Sequence, residues 1–281
     1  MSSLAGEFAL ITGATRGIGR AIALELGKRG ARVVGTATTA AGAQAIDAYL
    51  EEAGVTGRGL VLNVAEAGAI EACFKGVEAA EGTPTILVNN AGITRDGLLM
   101  RMSADDWQAV LDTDLSAVYR TCKAVMRGMM KARKGRIVNI ASVIGVMGNA
   151  GQTNYAAAKA GLMGMMYTAT KELARYNVRC NAMWPVARTD MTQPLIDKSG
   201  KSAAELGFGE PRDVARGLVW LASDAASGFN GQCLTFNGRK TALWHSPSEA
   251  YVKQEQHPIS IEELEDYYAA LAPVPIYSSR D

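Results

Sequence analysis

Short apolar runs alternate with stretches of helical spacing along most of this chain, and that alternation restricts its fold more than any other feature. "FALITG" ends in glycine and is followed by the helical "GRAIALELGKRG"; "ARVVGTA" then leads to "GAQAIDAYLEEAG", and "GLVLNV" to "AIEACFKGVEAAEG". "TILVNNAG" precedes a long helical pattern from Ala104 to Gly135, opened by Ser103 as a cap. "RIVNIAS", a helix from Tyr155 to Asn177, "VRCNAMWP", "EPRDVARGLVWLASD" and "GQCLTFNG" complete the series. Strands buried on both faces and joined by helices predict an α/β fold: a doubly wound, seven-stranded parallel sheet with helices on both faces and right-handed crossovers. "DKSGKSAAELGFGEP" interrupts the pattern after Met191 and is expected to be a mobile loop over a site.

The pattern stops near Lys240. Residues 1–240 are therefore expected to form one domain, and 241–281 a C-terminal extension packed on it or on a neighbouring subunit. Within the extension, Ser260 and Glu263 have the spacing of a capping box. Its aromatic residues and histidine (Trp244, His245, Tyr251, Tyr267, Tyr268) suit either a pocket cap or an oligomer strap. Net charge is +1, which gives no electrostatic case for nucleic acid or a membrane surface. No run approaches the roughly 18 apolar residues of a membrane span, and "MSSLAGEF" lacks a secretory pattern, so the expected location is cytoplasmic. Cys73, Cys122, Cys180 and Cys233 are scattered and form no ligand cluster with His245 and His257; they are expected as free thiols, with no metal site.

"TGATRGIG" lies between the first strand and the first helix. Gly13, Gly17 and Gly19 there allow a tight turn and close backbone approach, and a helix N-terminus attracts a pyrophosphate. An acid at the end of the second strand would hold a ribose 2′-hydroxyl and repel a 2′-phosphate. That strand instead ends "GTATTAAGAQ", with no acid before Asp47. Thr36, Thr38 and Thr39 offer hydroxyls and Arg16 a guanidinium, which favours NADP(H).

Tyr155 and Lys159 are four residues apart and share a helix face. An ammonium beside a phenol lowers its pKa from about 10 and suits it to exchange a proton with a carbonyl oxygen. Ser142 ends "RIVNIAS", at the carboxyl end of a parallel strand, where such sheets place ligands. With a dinucleotide loop, these groups predict hydride transfer to a carbonyl carbon and proton delivery to its oxygen.

The set TGxxxGIG (12–19), NNAG (89–92), Ser142 and YxxxK (155–159), in this order, resembles the short-chain dehydrogenase/reductase family, with its Rossmann-like fold. From about Glu7 to Leu162, "NNAGITRDGLLMRM" and "GRIVNIASVIGVMGNAGQTNYAAAKAGL" are similar to the bacterial branch that reduces 3-oxoacyl groups on acyl carrier protein. "PVARTDMTQPL" and "LAPVPIY" look more like members with a C-terminal extension, some acting on acyl-CoA or hydroxysteroids. The resemblance implies Tyr155 as general acid, Lys159 on the nicotinamide ribose, Ser142 positioning the carbonyl and Gln152 lining the substrate site. It implies Gly13, Thr15, Arg16, Gly17, Ile18 and Gly19 at the phosphates and adenosine end, Thr38 at the 2′-phosphate, and Asn63 and Val64 at adenine. Asn90, Ala91 and Gly92 would support the cofactor, and Thr189 would reach the nicotinamide amide or a phosphate.

The chain departs from the family at Asp114, where an asparagine is usual in the catalytic group, and at Val186, where a glycine follows the proline. Aspartate lacks the amide donor, and valine enters the φ > 0 region only at a cost. The resemblance also implies a homotetramer or homodimer. Met163, Met165, Met166 and Tyr167 suit its interface or a substrate wall, and Arg127, Lys131, Arg133 and Lys134 form a basic helix end that suits an acidic carrier or a plain solvated helix terminus. The expected activity is NADPH-dependent reduction of a small-molecule or carrier-linked 3-oxoacyl thioester. The alternatives are a dehydrogenase of hydroxyacyl-CoA, steroid or other secondary alcohols, and an idle NADP(H)-binding scaffold.

Overall fold

The computed structural model describes residues 3–244, 252 and 259–269. The chain falls into two compact units, Met1–Trp244 and His245–Asp281. Seven strands form the parallel part of one sheet: β1 (Phe8–Ile11), β2 (Arg32–Ala37), β3 (Gly57–Val61), β4 (Ile86–Asn89), β5 (Gly135–Ile140), β6 (Val178–Pro185) and β7 (Cys233–Phe236). An eighth, β8 (Thr241–Trp244), pairs antiparallel with β7. The order is β3-β2-β1-β4-β5-β6-β7-β8, so the winding reverses between β1 and β4 and opens a crevice at their carboxyl ends.

The central strands are almost wholly buried because both faces are covered, and the polar residues they carry, such as Asn89 on β4 and Asn139 on β5, are buried too. Successive side chains point to opposite faces. Ile11, Val33, Val88 and Met183 face a core shared with Ile22 and Leu26 of helix α1 (Gly17–Gly27), with Ile46 and Leu50 of α2 (Ala40–Glu52), and with Val214 and Leu218 of a later helix, Pro211–Ala222. Leu10, Val34, Leu87 and Ile137 face the other core. It holds Ile70 and Phe74 of α3 (Ala67–Glu81), Val125 and Met129 of the long helical segment, and Leu162 and Met166 of the helix after β5.

That long segment is not the unbroken helix its spacing predicts. It runs as α4 (Ala104–Leu111), a π-helical stretch Asp112–Ser116, and α5 (Ala117–Ala132). Ser103 does cap it, accepting from Asp106 N at 3.0 Å. The π turn holds an extra residue per turn, as such bulges do near functional sites, and brings Asp114 to the interior with no exposure. After β5 come α6 (Ile144–Met147) and α7 (Thr153–Leu173). The α-helix stops earlier than expected: Ala174–Tyr176 tightens to a 3-10 turn, and Asn177 takes a left-handed conformation with φ 58°.

The eighth strand lies in residues the sequence assigns to the extension. Asn237 Oδ1 accepts from Arg239 N and Lys240 N, closing a hairpin turn after β7. Trp244 then stacks on Trp184 with ring centres 4.5 Å apart, and its Nε1 donates to Thr235 Oγ1 at 2.7 Å. The interrupting stretch after Met191 begins with a helix, α8 (Gln193–Ser199), and precedes α9 (Pro211–Ala222). It is pinched at its base, where Arg188 N donates to Gly209 O at 2.8 Å and Gly209 N to Val186 O at 3.0 Å.

In the second unit, α10 (Ile261–Ala269) has the expected capping box: Glu263 N donates to Ser260 Oγ, and Ser260 N to Glu263 Oε2. His245 and Tyr251 lie outside the described residues. All four cysteines are free; Cys73 is half-buried and the others are buried.

Candidate active site

The crevice between β1 and β4 is floored by the glycine loop. Helix α1 starts at Gly17, and Arg16, its N-cap, makes no side-chain cap bond, so no cap side chain occupies the first amides of α1 at the carboxyl end of β1. Gly19 has no alternative here: a Cβ would lie 2.1 Å from Gly13 O and 2.5 Å from Asn90 Nδ2. Asn90 ties the two loops together, donating to Thr12 O at 3.0 Å and Gly13 O at 2.8 Å. Thr12 Oγ1 in turn accepts from Asn90 N and Ala91 N. Asn90 and Ala91 therefore stand beside Gly13, while Gly92 packs against Asp114.

At the end of β2, Thr36 is buried and its Oγ1 accepts from Gly13 N at 3.2 Å, while Thr39 caps α2 by accepting from Gly42 N. Thr38 is exposed beside that helix start, and Thr15 lies next to Gly42. Arg16 is exposed and pairs with Asp190 at 3.3 Å, a contact between residues far apart in the chain that no local pattern marks. Asn63 and Val64 follow β3 at the same end of the sheet; Val64 is buried, and Asn63 donates to Glu66. Ile18 is half-buried in the first turn of α1. Thr189 faces Gly17 and is held by Thr192, whose Oγ1 accepts from Thr189 N at 2.8 Å. Val186 avoids the φ > 0 region altogether, because its N–H bonds Phe236 O in the sheet and its carbonyl accepts from Gly209 N.

Helix α7 carries the other side. Asn154, fully buried, anchors its first turn by donating to Arg95 O at 2.9 Å and Asp106 O at 3.2 Å, while accepting from Tyr155 N. Its role was not visible in the sequence, since an asparagine beside a tyrosine has no distinctive pattern. Tyr155 is half-buried, and Lys159, one turn on, is buried. The ammonium lies 5.4 Å from the centre of the Tyr155 ring, donates to Ile140 O at 3.0 Å, and sits 3.0 Å from Asp114 Oδ2. Asp114 Oδ1 accepts from Ile93 N at 2.8 Å. Burial alone would lower the Lys159 pKa; the Asp114 carboxylate, aided by Tyr155, outweighs it, and the net direction is upward.

The segment after β5 packs backbone to backbone on this turn: a Cβ on Gly145 would come within 2.7 Å of Ala160 N. Ser142 is thereby held near the Tyr155–Lys159 turn, and its Oγ accepts from Ile144 N at 3.2 Å. Gln152 borders the site, donating to Asp96, and Gly97 pairs with it in an isolated bridge. Beneath, Asn89 donates to Asn139 Oδ1 and Thr121 donates to Asn89 Oδ1, a buried network that braces β4 and β5 against α5. At the far end of α5, Lys134 is engaged by Glu7 at 2.8 Å and Arg133 donates to Arg175 O. Among the described residues, no helix is long and apolar enough to cross a membrane.

Residues 7–200 match the family model described as short chain dehydrogenase. The chain is 51% identical over 243 residues to 3-oxoacyl-[acyl-carrier-protein] reductase FabG of Vibrio harveyi, covering 84% of this chain and 98% of that protein. It is 49% identical over 238 residues to the reductase of the same name from Escherichia coli K12, covering 83% and 96%. The Pseudomonas aeruginosa protein of that name is 49% identical over 241 residues, covering 84% and 98%. The share of this chain left unaligned is about the size of the C-terminal extension.

Proposed function

The chain belongs to the short chain dehydrogenase family, and from that premise we propose that it reduces a 3-oxoacyl thioester to the 3-hydroxyacyl form with NADPH. The observation that carries this is the pairing of Tyr155 with a buried lysine one turn away, at the carboxyl end of the sheet and beside the glycine loop. Identity to relatives named 3-oxoacyl-[acyl-carrier-protein] reductase over nearly their whole length supports the substrate class. Six large exposed apolar side chains add support: Leu98, Leu99 and Met100 after β4, Val146 after β5, and Met191 and Leu195 after β6. They stand on segments leaving the ligand end of the sheet and suit an acyl chain.

The residues present fit a dinucleotide phosphate. The uncapped start of α1, with Gly13, Thr15, Gly17, Ile18 and Gly19, would hold the pyrophosphate. Arg16 and Thr38 would take the 2′-phosphate, with no acid at the end of β2 to repel it. Asn63 and Val64 would border adenine; Asn90, Ala91 and Gly92 would support the middle of the cofactor, and Thr189 its nicotinamide end. When bound, NADPH supplies the hydride. Tyr155 gives its hydroxyl proton to the carbonyl oxygen as charge builds there. Ser142, whose oxygen already accepts from Ile144 N, has its own hydrogen free to bond and orient that oxygen. Lys159 stabilises the phenolate left behind and is placed to bond the nicotinamide ribose. Gln152 lines the substrate side. The same reading makes the protein a cytoplasmic homo-oligomer built through α5 and α7.

NADPH consumption is measured with carrier-linked and CoA-linked 3-oxoacyl thioesters and with cyclic ketones. Turnover of the thioesters is expected and eliminates the idle scaffold. Turnover of cyclic ketones alone overturns the substrate class. Arg16→Leu tests the cofactor choice. Losing a charged hydrogen-bond partner costs about 1.5–3 kcal/mol, so the Kd for NADPH is expected to rise about ten- to a hundred-fold while that for NADH stays put. Equal losses for both cofactors remove Arg16 from the 2′-phosphate.

A further inference from the structure

The cation that Tyr155 depends on is not alone. Asp114 and Lys159 are both buried, at 0% and 4% exposure, and Asp114 Oδ2 meets the ammonium at 3.0 Å. The other carboxylate oxygen is fixed by Ile93 N, so the carboxylate is held from two sides and cannot swing away without breaking a backbone bond. Because the pair is buried, the unit negative charge in contact with the ammonium cancels much of the field that the ammonium exerts on the half-buried phenol.

We infer that Asp114 is a positioning residue that sets the pH range of the reaction: its carboxylate offsets the charge of Lys159 at Tyr155, so that removing the charge while keeping the shape moves the pH–rate profile to lower pH. This rests on the proposed role of Tyr155 as proton donor.

The other charges around α7 do not share this position. On α4, Asp105 is exposed and Asp106 is bonded by Ser103 and lies 4.0 Å from Arg95. Asp112, in the same π stretch as Asp114, forms no ion pair with Lys159. Asp96 is engaged by Gln152. Helix α6 carries no charge, and on β6 Arg179 bonds the carbonyls of Ser223 and Ala226. Arg120, Lys123, Arg127 and Lys131 belong to α5, and Arg175 to the turn after α7. Among the described residues, only Asp114 forms an ion pair with Lys159.

The direction follows from charge. Without the carboxylate the ammonium favours phenolate more strongly, so the protonated donor that reduction needs is lost at a lower pH. Asp114→Asn keeps an oxygen for Ile93 N and removes the charge; Asp114→Ser is a smaller second variant. Two readouts are taken on the full chain. One is kcat/KM for NADPH-dependent reduction of a 3-oxoacyl-CoA across a wide pH range. The other is an ultraviolet difference titration of the tyrosinate, each protein against its own Tyr155→Phe counterpart, which needs no substrate.

Both the alkaline limb of the rate profile and the phenolate midpoint are expected to fall by about one pH unit or more. An unchanged or raised midpoint in a folded variant overturns the inference. Failure of both variants to fold makes Asp114 a structural residue and overturns it too. If the parent turns over no 3-oxoacyl thioester, the functional reading fails, while the phenol titration still decides whether Asp114 governs Tyr155.

Discussion

Tyr155→Phe is expected to lower kcat for reduction of a 3-oxoacyl thioester by at least about 10²–10⁴-fold, the range that a positioned proton donor contributes. The ring stays half-buried on α7 and the turn below it stays anchored by Asn154, so only the oxygen is lost. NADPH affinity, followed by its fluorescence, should remain near the parent's because the glycine loop and Asn90 are untouched. A variant that binds NADPH and turns over substrate at the parent's rate removes the phenol from the reaction. Steady-state and single-turnover rates together separate chemistry from product release.

Lys159→Met should have the largest effect on stability. It leaves the Asp114 carboxylate buried, facing an apolar side chain in place of its counter-charge. Breaking a buried pair from one side costs about 3–5 kcal/mol, to be read from urea titrations. Converting both partners, as Lys159→Met with Asp114→Leu, should recover much of the loss, since an apolar pair carries no desolvation penalty. A double variant that is merely the sum of the two single losses refutes the coupling. The lysine's pKa is raised in the folded protein. Its contribution is therefore complete below the unfolded value of about 10.4 and is lost only as pH climbs through the higher folded value. Stability near neutral pH should be insensitive to this group.

The architecture was readable because most of the parallel strands are covered on both faces and leave short, largely apolar runs between helical spacings. The eighth strand was not read, although Asn237-Gly238 directly after the last apolar run is a turn signal. Its last residue is fixed by stacking on Trp184, a contact between distant parts of the chain. The break in the long helix was hidden for a different reason: one extra residue in a turn does not disturb the apolar spacing on either side. At the site, residue types spoke where chemistry demands them, as at the glycine loop and on α7. The carbonyl of Ile140 and the amide of Ile93 hold Lys159 and Asp114, yet backbone groups leave no trace in residue identity. Val186 raised an expectation of strain that the sheet bond to Phe236 O removes.

Because Val186 and Arg188 are bonded to Gly209, the stretch between them leaves the sheet and returns at nearly one point. The scaffold registers only that closure, not the length of what it encloses, and enlarging a closed excursion costs little, growing only as a logarithm of its length. Insertions or deletions between Met191 and Phe208 can change that excursion without moving Tyr155, whereas Thr189 and Asp190 at its start contact Gly17 and Arg16 of the glycine loop. The fold thus leaves the helix that carries Tyr155 and Lys159 apart from a segment whose length is free to vary, and a lineage can alter the second while inheriting the first unchanged.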